Sequence, residues 1–121
     1  MILSMNSVVH FEIPYVEKKR AMKFYTEVFG WQMIDMPEMK YTITRTTETD
    51  EQNMPKQLGT INGGMLKKDE TSQNPVIVIN VPNLDEHLPK IESAGGQSVT
   101  PKVEVGDMGF YARVKDTEGN I

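Results

Sequence analysis

An imidazole and a carboxylate stand two residues apart near the start of the chain, at His10 and Glu12. They lie in the segment 8–13 (VVHFEI), whose alternating pattern is typical of a strand with one buried face. Successive side chains of a strand point to opposite faces, so His10 and Glu12 share a face and Phe11 lies on the other. Such a pair could bind a metal ion or transfer a proton, although each residue could equally form an ordinary hydrogen bond or ion pair. If both lie in one cleft, their attraction should raise the pKa of His10 and lower that of Glu12.

Four further side chains could contribute to a binding site. Tyr111 and Arg113 alternate with apolar residues in the predicted strand 110–115 (FYARVK), and an arginine fork there would suit an anionic substrate. Trp31 would serve as core or as a pocket wall, and we place it among the substrate-binding residues with Tyr111 and Arg113. His87 lies in a predicted helix, where exposure to solvent is more common than ligation. An ordinary half-exposed strand remains the alternative for Tyr111 and Arg113.

The helices and strands that would position these residues are predicted from the periodicity of apolar residues and from the positions of glycine and proline. Helices are predicted at 18–28 and 84–94, the first with an apolar stripe and a glycine stop at Gly30, the second with Asn83 as a possible N-cap. The strands are predicted at 8–13, 31–36, 41–47, 58–66, 75–81 and 110–115, with an extended segment at 97–105. The pair Gly63–Gly64 indicates a bulge or a close backbone approach. The apolar, β-branched segment 75–81 predicts a strand buried on both sides. Turns are expected at 106–109 and 116–120.

The chain also resembles itself at an offset of 66 residues, without a gap. Strand, turn, helix and glycine stop coincide, so that Met22 falls on Leu88 and Gly30 falls on Gly96. The predicted fold class is therefore α+β, with two βαβββ units forming an incomplete barrel around a central cleft. We expect a single domain, with unit one at about 7–66, a polar linker at 67–74 and unit two at about 75–121. The last strand is expected to be missing or truncated, which would expose a sheet edge and favour a homodimer.

The length, charge and cysteine content of the chain limit the classes of protein to which it could belong. The chain has 121 residues, a net charge of −4 without a long run of one sign, and no cysteine. This balance argues against nucleic acid as a partner, and the lack of cysteine excludes disulfides and thiolate metal sites. We find no apolar stretch of membrane-spanning length and no secretory signal, so we expect no membrane contact and a cytoplasmic location. Nine methionines indicate adaptable packing, and less often an adaptable binding surface.

Several segments resemble the vicinal oxygen chelate superfamily, which includes glyoxalase I, bleomycin resistance proteins and extradiol dioxygenases. The segments are HFEIP, KFYTEVFGW, the Gly-Gly pair, VINVPNLDEHLPKIESAGG and FYARVKDTEGN, and together they cover nearly the whole chain. Short glyoxalase-like proteins of bacteria are the most similar kind. The resemblance implies a small-molecule ligand and, in active members, a divalent metal (Zn, Ni, Fe or Mn) that polarises vicinal oxygens.

The metal ligands of the superfamily map only partly onto this chain. The resemblance places a metal ligand at His10, and Glu12 could supply a second ligand or the catalytic base. The matching position in the second unit is Val76, which cannot bind a metal, and the last ligand would fall beyond Ile121. Two functions therefore stay open: a metal-dependent lyase or dioxygenase, and a metal-free protein that sequesters a small molecule. A protein–protein module is a third and weaker alternative.

Overall fold

The computed structural model describes residues 5–104 and 109–121, and these divide into two compact units, Met1–Ile79 and Asn80–Ile121. The fold is mixed α+β, as predicted, and the described residues include two α-helices and a sheet of five strands. No strand pairing closes a barrel among the residues that the structure describes. The two-unit βαβββ organisation and the domain boundaries stay predictions.

The first unit is built on the five-stranded sheet, in the order β2-β3-β4-β1-β5. Its strands are β1 Val8–Tyr15, β2 Gln32–Met36, β3 Tyr41–Arg45, β4 Asn62–Lys67 and β5 Val76–Ile79. Strand β1 runs parallel to β4 and antiparallel to β5, while β3 runs antiparallel to both β2 and β4. Helix α1, Lys18–Phe29, follows β1, and a short 3₁₀ turn at Pro37–Met39 links β2 to β3.

One face of this sheet carries the small core of the unit. Met65 is the most deeply buried apolar side chain of the described residues, and Thr42 and Thr44 beside it are fully buried. Trp31 stacks on Tyr25 of α1, with ring centroids 4.9 Å apart. Trp31 also lies against Phe11 of β1, with ring centroids 5.8 Å apart, so the aromatic side chains pack on the sheet face to which Phe11 points.

Glycines allow two close approaches in β4. A Cβ at Gly63 would strike the backbone and ring of Phe11, and a Cβ at Gly64 would strike the ring and hydroxyl of Tyr41. The close approach predicted for this glycine pair is therefore confirmed, once on each face of the sheet.

The prediction that strand 75–81 is buried on both sides was wrong. Ile77 and Ile79 are 66% and 50% exposed, because β5 forms the edge of the sheet and has one strand neighbour.

The described part of the second unit contains one helix and four short strands. Helix α2 spans Leu84–Ser93, and the strands are β6 Gln97–Ser98, β7 Val103–Glu104, β8 Phe110–Tyr111 and β9 Val114–Lys115. They pair antiparallel as β6 with β9 and β7 with β8. Asn83 caps α2 as predicted, since its side-chain oxygen accepts a hydrogen bond from the Glu86 N–H at 3.1 Å. The predicted turn at 106–109 lies almost wholly outside the described residues.

One turn is built the same way in both units. Asp50 accepts side-chain hydrogen bonds from the N–H groups of Gln52 and Met54, at 2.9 and 3.0 Å. Asp116 accepts them from the N–H groups of Glu118 and Asn120, at 2.8 and 2.9 Å. The fourth residue has positive φ in each turn, 62° at Asn53 and 87° at Gly119. These contacts hold the pKa of Asp116 below its usual value, chiefly through the side chain and backbone of Asn120.

Candidate functional site

His10 and Glu12 share the face of the sheet that is turned away from Trp31 and Tyr25. His10 lies beside Asn62 of β4 and Val78 of β5, and Glu12 lies beside Gly64 and Val76. Residues that pair across neighbouring strands have their side chains on one face, so these residues line a common surface. Ile43 pairs with Gly64, so β3 adds Tyr41, Ile43 and Arg45 to the same face. We call it the His10 face.

A hydrogen bond across β4 is the main polar contact of His10. Its Nε2 atom lies 2.8 Å from the hydroxyl oxygen of Tyr41, and the two rings are nearly parallel, at 15°. Tyr41 comes from β3 and His10 from β1, so the phenol must extend over the strand between them. Gly64 makes this possible, because any side chain at that residue would occupy the space of the Tyr41 ring.

The electrostatics of His10 differ from the expectation. Burial lowers the pKa of His10 below its usual 6.5, and the nearby Glu12 carboxylate opposes this only in part. The predicted increase was therefore wrong, because loss of hydration outweighs the attraction of the single carboxylate. His10 is neutral at pH 7 and can either accept a hydrogen bond from Tyr41 or donate one to it.

A divalent metal does not fit the donors on this face. The described residues contain no group of three or more His, Cys, Asp or Glu side chains that could hold an ion. Val76 lies beside Glu12, so an apolar side chain takes the place where a further ligand would be needed. A metal at Nε2 of His10 would also have to displace the Tyr41 hydroxyl. Structural and catalytic zinc sites use at least three protein ligands, which this arrangement lacks.

The other predicted binding residues belong to other elements of the chain. Trp31 is packed against Tyr25 on the helix side of the first unit, away from the His10 face. Tyr111 and Arg113 belong to the second unit, where Tyr111 is 44% exposed. The backbone of Arg113 is tied to Thr100, whose hydroxyl accepts a hydrogen bond from the Arg113 N–H at 2.9 Å. The substrate-binding roles of these three residues stay predictions.

Sequence reasoning missed Tyr41 as the partner of His10. The signal was present in two parts: an aromatic residue at the start of an alternating strand, and a glycine pair in the next strand. Neither part alone shows that the phenol crosses the intervening strand. A surface groove of about 330 Å³, lined by Tyr15, Val16, Glu17, Arg20, Ala21 and Phe24, lies away from this contact.

Comparison with known proteins agrees with the resemblance seen in the sequence. Residues 7–46 match the family described as Bleomycin resistance protein-like N-terminal, a span that covers β1, α1, β2 and β3. A search of curated proteins gave no significant match. Among the helices of the described residues, none combines the length and apolar character that a bilayer crossing requires.

Three solved structures are similar to this chain at low sequence identity, and the first of them has a TM-score above 0.5. The hypothetical protein BH1468 from Bacillus halodurans C-125 is 17% identical, with a TM-score of 0.58 over 92% of this chain and 85% of that chain. TioX from Micromonospora sp. ML1 is 20% identical, with a TM-score of 0.35 over 94% and 89% of the two chains. A methylmalonyl-CoA epimerase is 15% identical, with a TM-score of 0.44 over 88% and 84%. The family match and the fold confirm the predicted resemblance to the vicinal oxygen chelate superfamily.

Proposed function

We propose that this protein binds a small molecule on the His10 face without using a bound metal. The observation that carries the proposal is the hydrogen bond between His10 and Tyr41 over Gly64, which occupies Nε2, one of the two histidine nitrogens through which a metal could bind. Val76 beside Glu12 supports the same view. The similarity of residues 7–46 to a bleomycin resistance-like domain is consistent with sequestration of a small molecule.

The chemistry of the face suits a ligand with an apolar body and a polar end. Ile43 and Val78 offer apolar contact on either side of β4 and β1, while His10 and Tyr41 offer aromatic surface and hydrogen bonds. Since His10 is neutral at pH 7, the pair adds no net charge to the site. Small-molecule sites commonly combine apolar walls with a few placed polar groups.

A metal-dependent lyase or dioxygenase is the second candidate. It is favoured by the position of Glu12, which shares a face with His10 and interacts electrostatically with it. In that function His10 would bind the metal and Glu12 would act as ligand or base, and the missing donors would have to come from other residues. A homodimer and a cytoplasmic location remain part of the proposal.

Metal content separates the two functions. The purified protein would be incubated with zinc, nickel, iron(II) or manganese, dialysed, and measured by elemental analysis beside His10→Ala. We expect metal far below one equivalent in both proteins. Near-stoichiometric metal that disappears in His10→Ala would overturn the metal-free proposal and favour the enzyme. Tyr41→Phe is the informative companion, because it releases Nε2 of His10 while the ring remains, and any gain in metal affinity would appear there first.

A further inference from the structure

Two hydrogen-bond donors on the His10 face have no acceptor among the described residues. They are the side-chain NH₂ group of Asn62 on β4 and the guanidinium of Arg45 on β3. Asn62 lies beside His10 in register. Arg45 follows Thr44, whose partner is Gly63, and so Arg45 comes next to Asn62 along the two strands. The three side chains thus form a row across β1, β4 and β3.

The orientation of the Asn62 amide is fixed by the backbone. Its Oδ1 atom accepts hydrogen bonds from the N–H groups of Thr46 and Thr47, at 2.8 and 3.1 Å. Both partners are donors, so the atom that faces them must be the oxygen. The NH₂ group is consequently held on the opposite side. Within residues 5–104 and 109–121 it makes no hydrogen bond.

Arg45 is partly buried, yet its guanidinium forms no ion pair or hydrogen bond with the described residues. Neither the guanidinium nor the Asn62 NH₂ group is among the fully buried, unpaired polar atoms of the described residues, so both reach solvent and can exchange water for a bound acceptor. The planar guanidinium matches the two oxygens of a carboxylate, and charge-assisted hydrogen bonds of this kind are among the stronger ones in proteins. An adjacent amide donor can bind a further lone pair of the same group.

We infer that Arg45 and Asn62 bind the carboxylate of a small organic acid whose apolar body extends toward the His10–Tyr41 pair. This inference rests on the proposed function and adds the class of ligand. Glu12 lies two residues from His10 on the same face, and its negative charge repels a carboxylate. The carboxylate of the ligand should therefore bind at the Arg45 end of the row and not at the His10 end. Ile43, two residues from Arg45 on that face, lies beside the ligand body.

Benzoate is a suitable probe, and benzyl alcohol is its uncharged counterpart of similar shape. Each would be titrated into the protein while NMR follows the side-chain NH₂ signals of Asn62 and the ring signals of His10. We expect benzoate to shift both sets and to bind about tenfold or more tightly than benzyl alcohol, because hydrogen bonds between charged groups are stronger than those to a neutral hydroxyl. Equal affinity for the two probes would overturn the carboxylate assignment.

Two variants and a control sharpen the test. Asn62→Asp keeps the acceptor for Thr46 and Thr47 but removes the NH₂ donor, and Arg45→Gln removes the fork. Each should weaken benzoate about tenfold or more and leave benzyl alcohol nearly unchanged. Arg20→Gln removes the same charge from the exposed surface of α1 and should leave benzoate affinity unchanged.

The outcomes separate this inference from the function on which it rests. If both probes bind through His10 and Tyr41 but Arg45→Gln has no effect, a metal-free ligand site stands and the carboxylate site is overturned. If neither probe shifts any signal of β1, β3 or β4, both are overturned. Loss of benzoate affinity in Arg20→Gln equal to that in Arg45→Gln would show that overall charge, rather than the Arg45–Asn62 pair, attracts the acid.

Discussion

The two units of the chain share their local structure at the offset of 66 residues. Helix α1 begins at Lys18 and α2 begins at Leu84, which is 66 residues later. The turns at Asp50 and Asp116 stand at the same offset and have the same pattern of hydrogen bonds from backbone N–H groups to the aspartate. The hydrogen bonds of an Asx turn join residues only a few positions apart, so both units can form the turn independently.

The units differ where the structure depends on distant residues. The first has a sheet of five strands, whereas the second has strands of two residues each that pair two by two. The glycine pair of β4 admits Phe11 on one face and Tyr41 on the other. Long-range packing, more than local propensity, therefore accounts for the difference in structure between the first unit, which contains His10, and the second unit.

Substituting Gly64 with alanine should have the largest effect on the first unit. The added methyl group would strike the Tyr41 ring, and overpacking of this kind costs about 1–3 kcal/mol in the free energy of unfolding. The ring must move, so the hydrogen bond to His10 should break. Urea denaturation would measure the stability, and NMR titration of His10 would report the lost contact.

Gly96→Ala is the matched variant in the second unit, because its methyl group would strike Ile91 and the Lys115 backbone. It should also lower stability but leave the His10 titration unchanged. An unchanged His10 titration in Gly64→Ala would contradict the role assigned to Gly64. The double variant Gly64→Ala/Tyr41→Ala resolves the cause, since removing the ring should recover much of the stability lost through the methyl group.

A smaller effect is expected at the helix starts, where the two units use different residues. Asn83→Ala removes the side-chain cap of α2 and should lower the free energy of unfolding by about 1 kcal/mol. Glu17 stands at the same place before α1 but makes no capping hydrogen bond. Glu17→Ala should therefore change stability by no more than about 0.5 kcal/mol. Equal losses in the two variants, measured by urea denaturation, would show that the cap is not the relevant difference.

The sequence predicted the elements better than the site, for a physical reason. Helix α1, its stop at Gly30 and the cap at Asn83 follow from local patterns, and the shared face of His10 and Glu12 follows from strand alternation. The contact with Tyr41 joins residues 31 apart in sequence and exists only because Gly64 lies between their strands. Local sequence patterns do not predict contacts between residues so far apart in the chain. The exposure of β5 was missed for the same reason, since strand order decides which strand forms the edge.

Acid should affect the first unit through His10, with a smaller effect than the substitutions above. The pKa of His10 is lowered in the folded protein and near its usual 6.5 in the unfolded chain, so between these two values the unfolded chain binds more protons. The free energy of unfolding should therefore fall as pH drops below 6.5 and stop falling, for this group, below the folded pKa. His10→Gln, which cannot titrate, should lack this step, and His87→Gln should keep it. NMR titration of the two histidines in the chain would measure the pKa of His10 directly, and His87→Gln would assign the signals.

A measured pKa of His10 above 6.5 would contradict this prediction. It would mean that the attraction of Glu12 outweighs burial, and that His10 and Glu12 form the charged pair expected from the sequence alone.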